Sequence, residues 1–237
     1  MAVFALGASF ATAADNPRCR RVRLADVGWT DVTATTAVFA NLLGRIGYET
    51  RITVLAVPVT FASMKNRDID VFLGNWMPTQ SADRKPFDVD KSIEVVGANL
   101  QGARYTLAVP AYTHAAGLHD FADISRFGAA LDHRIYGIEP GNDGNRLLLE
   151  LIRTNKFGLG EFKLIESSEQ GMLSEVERAV RANKPIVFLG WDPHPMNVHF
   201  NLKYLTNADD SLGPNFGGAA VYTTVRAGYL QECPNVA

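Results

Sequence analysis

Val22-Arg23-Leu24-Ala25-Asp26-Val27-Gly28-Trp29-Thr30-Asp31 is the stretch whose reading decides the fold. A short apolar run stops at a glycine, and a tryptophan follows at once. Runs of this kind read as buried strands, here Arg21 to Val27. Beyond Asp31, Phe39, Leu42, Leu43 and Ile46 recur at helical spacing, and Gly47 closes the helix. Tyr48 to Ala56 alternates and reads as the next strand. Pro58 opens a short helix to Asn66, and Ile69 to Leu73 is a third strand that ends at Trp76. Strand-helix-strand-helix-strand implies a parallel sheet with right-handed crossovers.

The opening signature occurs twice more, in Asp70-Val-Phe-Leu-Gly-Asn-Trp76 and Pro185-Ile-Val-Phe-Leu-Gly-Trp191. These are the chain's only tryptophans. Ligands of open α/β sheets bind beyond the carboxyl ends of the strands, so all three indoles fall where such a fold keeps its site. The bland alternative is three core anchors. Between the signatures, residues 77–90 are polar and read as a loop, and Lys91 to Ala98 and Arg104 to Val109 read as separate strands. A second series follows Pro110. Arg134 to Glu139 is a strand and Pro140 to Asn145 a turn. Arg146 to Lys156 is a helix built on Leu147, Leu148, Leu151 and Ile152. Phe162 to Ile165 is a strand, Gln170 to Asn183 a helix on Met172, Leu173, Val176 and Val180, and Pro185 to Leu189 a strand. Lys203 to Thr206 is extended. Two α/β series make two lobes, Trp29 and Trp76 coming from the first and Trp191 from the second. If the rings share a site, it lies between the lobes.

The net charge of −2 leaves no basic excess to neutralise phosphates, which argues against a nucleic-acid partner. Met1 to Ala14 is apolar and ends in small residues, with Ala11-Thr12-Ala13 matching a signal-peptidase site. It reads as a partial signal peptide lacking its basic front, and implies export to a periplasm. No apolar run is long enough to span a membrane. Cys19 and Cys233 are the only cysteines. An even pair in an oxidising compartment reads as a disulfide, the alternative being two buried thiols.

Three electron-rich rings with an acid nearby suit a cation without hydrogen-bond donors, such as a quaternary ammonium, each ring contributing about 0.5–2 kcal/mol when desolvated. Sugar stacking is the alternative. Asp31 either complements the ligand or caps the following helix. Asn142 either points its amide into the cleft or serves the turn. The glycines around it fit neither a dinucleotide fingerprint nor a P-loop. The histidines lack metal spacing, and His194 between two prolines reads as structural. Asp68 and Asp70 read as the solvated start of a strand, and Glu175 and Glu177 as a helix surface. No nucleophile or acid–base pair stands out, so no reaction, metal or cofactor is expected.

The motifs Asp26-Val-Gly-Trp29-Thr-Asp31, Gly74-Asn-Trp76-Met-Pro78, Ala103-Arg-Tyr105-Thr-Leu-Ala-Val-Pro110, Glu139-Pro-Gly-Asn142-Asp-Gly-Asn145 and Gly190-Trp191-Asp-Pro-His194-Pro span most of the chain. Together they resemble the periplasmic choline-binding proteins of ABC transporters, within the wider glycine betaine/choline binding family. The resemblance implies an α/β two-lobed clamp of the type II periplasmic binding-protein kind. Lobe I would be residues 15–106 plus 207–237 and lobe II residues 107–206. It implies a box of Trp29, Trp76, Tyr105 and Trp191 around the trimethylammonium, with Asp31 and Asn142 on the choline hydroxyl. It also implies a Cys19–Cys233 disulfide, an ABC permease as partner, a monomeric chain, and further helix on lobe I beyond Ala237. Betaine would bind more weakly than choline, since an acid at Asp31 repels its carboxylate, and acetylcholine is likewise expected to bind more weakly. The rivals are a binder of glycine betaine or another osmolyte, and an exported enzyme acting on choline esters or sugars.

Overall fold

Strand β1 (Arg21–Asp26) lies between β2 (Glu49–Val54) and β3 (Val71–Met77) and is parallel to both. The computed structural model describes residues 16–236; the signal-peptide reading of residues 1–14 lies outside them. Side chains alternate across a strand. Val22 and Leu24 therefore join one apolar cluster, with Cys19, Leu43 and Val71, while Ala25 joins the other, with Val32 and Phe72. Burial on both faces is what a parallel strand between helices requires.

Helix α1 (Thr30–Arg45) turns Val32, Thr36 and Leu43 inward. The expected apolar face is shifted here. Leu42 and Ile46 are 56% and 67% exposed, because the buried stripe runs through positions 32, 36 and 43 and leaves 38, 42 and 46 on the neighbouring face. Helix α2 (Val57–Lys65) starts at its proline as expected and buries Phe61 and Met64. Residues 77–90, read as loop, contain helix α3 (Ser81–Val89). Its polar face is held by an Arg84–Asp88 pair one turn apart, and Phe87 stacks on Phe61. Pro86 and the polar composition hid it from the periodicity.

The two strands read at 91–98 and 104–109 are one, β4 (Ile93–Pro110). It runs antiparallel to β9 (Gly218–Arg226) from Ile93 to Arg104, with register shifts around Gly97 and Gly102, and then pairs with β7 (Phe188–Asp192) from Arg104 to Ala108. After the one-turn helix α4 (Ala111–Ala115), the second series supplies β5 (Arg134–Tyr136), α5 (Asp143–Arg153), β6 (Lys163–Ile165), α6 (Glu169–Arg181) and β8 (Leu202–Tyr204). β5 is parallel to both β6 and β7, and β8 pairs with β4. The result is one mixed sheet, ordered β2-β1-β3-β9-β4-β7-β5-β6. The parallel groups lie at its two ends, as expected of two α/β series. The antiparallel middle was not foreseen. β9 was missed because Gly217-Gly218-Ala-Ala at its start has low strand propensity, although the strand is central.

Cys19 and Cys233 form a disulfide across a separation of 214 residues, with both sulfurs inside the apolar cluster behind β1. The reading of Asp70 as solvated is overturned: it is 2% exposed. Its carboxylate takes Arg23 Nη2 on Oδ1 at 2.7 Å, Arg23 Nε on Oδ2 at 2.9 Å and Arg226 Nε on Oδ1 at 2.7 Å, so two guanidiniums replace the water it lost. Asp68 is exposed, as read. No helix among the described residues is long and apolar enough to cross a membrane.

Loop-closure entropy assigns the disulfide about 5 kcal/mol as an upper figure. Reduction should therefore lower the melting temperature by roughly 10 °C in calorimetry, and an unchanged melting temperature with both thiols shown free would contradict that role.

Candidate functional site

Four rings and one aliphatic side chain line a small pocket: Trp29, Trp76, Tyr105, Trp191 and Ile138. Each comes from a different place in the sheet. Trp29 precedes α1, with Gly28 (φ +78°) making the turn that separates it from β1. Asp26 fixes that turn by accepting from Gly28 N at 2.9 Å and from the Thr33 hydroxyl at 2.8 Å. Trp76 lies inside β3 and Trp191 inside β7, each near its carboxyl end. Tyr105 sits on β4 next to Arg104, where that strand changes partner from β9 to β7.

The rings touch in sequence. Trp29 and Trp191 have centroids 6.5 Å apart, Trp191 and Tyr105 6.1 Å, and Tyr105 and Trp76 6.1 Å, with interplanar angles of 53°, 81° and 58°. His194 stacks edge-on behind Trp191 at 4.8 Å. All four cage rings are buried, and the lining is almost wholly apolar.

The polar edges of the rings are held from outside the cavity. Trp29 Nε1 donates to Glu139 Oε1 at 3.0 Å, and Trp191 Nε1 donates to Asp31 Oδ1 at 3.0 Å. The Tyr105 hydroxyl donates to Asn142 Oδ1 at 2.9 Å, and the same oxygen caps α5 by accepting from Asn145 N. Thus Asn142 serves both helix and cage, and its amide also reaches Glu139 and Asp143. Asp31 does not cap α1; the N-cap position is Trp29, which has no capping side chain. Gly144 lets Tyr105 in, since a Cβ there would lie 2.1 Å from the phenol oxygen. Asn145 clamps the backbone of Ile138 and Glu139 with three hydrogen bonds and so places Ile138 in the cage wall.

The site carries excess negative charge. Burial raises the Asp31 carboxyl to about 6, against the pull of the Trp191 N–H. Burial likewise raises Asp143 to about 6, and raises Glu139. Burial would raise Glu169 too, but bonds from His194 and Thr30 outweigh it and hold that carboxyl below the usual range. Among the described residues no group of three or more His, Cys, Asp or Glu could hold a metal ion.

All six sequence-derived site residues fall together. Trp29, Trp76, Tyr105 and Trp191 line the cavity, while Asp31 and Asn142 orient two of those rings. Ile138, Glu139, Thr30 and Glu169 went unread. Glu139 lay within a quoted motif, but the ring it holds, Trp29, is 110 residues away, and His194, read as structural, bonds Glu169.

A mixed α/β sheet with parallel groups at its two ends and a ring-lined pocket at its strand ends is the build of a two-lobed solute-binding protein. Residues 20–237 match the family model described as the substrate binding domain of ABC-type glycine betaine transport system, and the chain belongs to that family. Its members serve transport and are not enzymes. An ABC-transporter choline binding protein in complex with choline is 57% identical, with a TM-score of 0.92 over 94% of this chain and 77% of that one. The same kind of protein in an unliganded semi-closed conformation is 58% identical, but superposes at 0.85 over 92% and 76%. The lactococcal protein OpuAC, closed on glycine betaine, is 26% identical, with a TM-score of 0.81 over 90% and 80%. At near-equal identity, the better match is to the choline-bound form.

Asn142→Ala removes a helix cap worth about 1 kcal/mol and leaves a buried phenol unpaired, at about 1–3 kcal/mol. Urea unfolding should show a loss of roughly 2–4 kcal/mol; a loss below half a unit of that scale would mean that neither bond matters.

Proposed function

We propose that this protein captures choline in the periplasm, as a monomer, and delivers it to an ABC importer. The observation that carries the reading is the direction of the polar groups. Two indole N–H groups and the phenol are bonded outward, to Glu139, Asp31 and Asn142, so the cavity is left to the rings themselves. A cavity walled by electron-rich rings and backed by carboxylates suits a cation that cannot donate hydrogen bonds. The choline-bound relative supports the same ligand. Asp31, whose Oδ2 is not used by Trp191, and Asn142 beside the Tyr105 hydroxyl stand at the rim of the rings and are assigned to the choline hydroxyl. Lobe I is residues 15–106 plus 207–237 and lobe II residues 107–206, a division supported by the change of partner along β4 near Tyr105. The disulfide suits an oxidising compartment.

Choline is favoured over betaine and acetylcholine on electrostatic grounds. Around the cage stand Asp31, Glu139, Asp143 and Glu169; Arg146 on α5 is bound bidentately by Asp83. A betaine carboxylate needs donors, and an acetyl ester has lost the hydroxyl that a carboxylate accepts. One observation favours betaine as the second reading: Trp76 Nε1 is buried without an acceptor among the described residues.

Titration by intrinsic tryptophan fluorescence with choline, acetylcholine and betaine should rank them in that order, or with choline first and the others unresolved. Asp31→Asn should weaken choline about tenfold or more while leaving betaine unchanged or improved. Betaine binding as tightly as choline to the wild-type protein would refute the assignment.

The Asp31 carboxyl near 6 also sets a pH dependence. A bound cation favours the carboxylate and lowers its pKa, so affinity is full above pH 6 and falls as pH drops through that value. Calorimetry between pH 7.5 and 5 should show the dissociation constant rising, with a flatter profile in Asp31→Asn; a pH-independent constant in the wild-type protein would exclude an ionised Asp31 as partner.

A further inference from the structure

Trp29, Thr30 and Asp31 are consecutive, yet each bonds a different element of the second half of the molecule. Trp29 reaches Glu139 after β5, Thr30 reaches Glu169 at the start of α6, and Asp31 takes the indole of Trp191 on β7. The middle contact does something the other two do not. Helix α1 has no side-chain cap of its own. A helix start leaves N–H groups that need acceptors, and Glu169 Oε2 accepts from Thr30 N at 2.8 Å, while its other oxygen takes the Thr30 hydroxyl. Glu169 is free to do so because Ser168 already caps α6 by accepting from Gly171 N. The carboxylate is 2% exposed and stands between the first turns of two helices from opposite halves, where both helix dipoles favour a negative charge. His194 Nε2 at 3.1 Å holds it from behind.

We propose that Trp29-Thr30-Asp31 is the latch of the closed molecule and that Glu169 is its positioning residue, capping helix α1 only while the two halves are together. The proposal rests on the reading of the cage as a ligand trap and adds what retains the ligand. Glu169 does not line the cavity. It therefore acts on the lifetime of the closed state rather than on the ring contacts. Interactions made only after closure slow release and leave capture untouched.

The sharpest variant is Thr30→Pro. Thr30 is the first helical residue, a position where proline is tolerated because its missing N–H has no partner inside the helix. The preceding Trp29 already has the extended backbone (φ −91°, ψ 137°) that a following proline requires. The substitution deletes both donors to Glu169 and leaves His194 and the rings in place. Stopped-flow fluorescence with choline should show release about tenfold faster, with the association rate within about twofold of wild type. Glu169→Ala should match it, and Glu169→Gln, which keeps an oxygen for Thr30 N, should restore part of the retention. Thermal melting of the ligand-free variants reports folding separately. Small-angle X-ray scattering of the ligand-free proteins reads the latch without any ligand, the variants being more expanded than the wild type. Wild-type protein that fails to bind choline would sink the ligand assignment, while the scattering comparison still tests the latch. Wild-type release rates, or in the absence of binding identical scattering curves, would overturn it.

Discussion

Gathering indole rings into a dry cage costs about 1–3 kcal/mol for every buried N–H left without an acceptor; Trp29 and Trp191 have theirs, and Trp76 Nε1 has none among the described residues. In this protein the acceptors are exchanged between the two halves: the first half's Trp29 is held by the second half's Glu139, and the second half's Trp191 by the first half's Asp31. Neither half completes its own wall. The constraint explains why Gly28, Asp26 and Asn145 are placed with such care, since each fixes the backbone beside one partner of the exchange.

The exchange has an electrostatic consequence. Carboxylates bonded to neutral N–H groups keep most of their charge uncompensated, and burial raises Asp31 and Asp143 to about 6. A cage walled by neutral rings and backed by such groups attracts positive charge by two routes, the ring quadrupoles and the carboxylates behind them. An anionic ligand meets the second of these as repulsion. The same residues that position the rings thereby set the sign of what the cage accepts.

Much of this was legible in the chain. A glycine or Gly-Asn before each of three tryptophans points to the neighbourhood of a strand end: β1 stops before Gly28, while β3 and β7 run on through Trp76 and Trp191 and stop one residue later, and strand ends of an α/β sheet meet at one cleft. Tyr105 came only through resemblance, because nothing local distinguishes a tyrosine inside a long strand. Glu139, Glu169 and Ile138 were not legible for a different reason. Glu139 and Glu169 act on partners 110 and 139 residues away, and a carboxylate gives no periodic signal of a distant donor. Asp70 misled in the same way: acids two residues apart at a strand start look solvated until Arg23 and Arg226 arrive from other strands. Helix α3 and strand β9 were hidden by composition, the first by its polar face and Pro86, the second by its glycines and alanines.

The position of the α1 start ties these threads together. Strand β1 ends at Asp26 and hands over, through the turn at Gly28, to a helix whose first residue has no capping side chain before it, because that place is given to Trp29. An ordinary Ser or Asp there would satisfy the helix within its own half. Giving the position to a cage indole moves the missing acceptor across the cleft, to Glu169. In the latch proposed above, the helix start and the ligand wall are completed together, and a local defect in one helix becomes a preference for the closed arrangement, without any contact that the ligand itself must make.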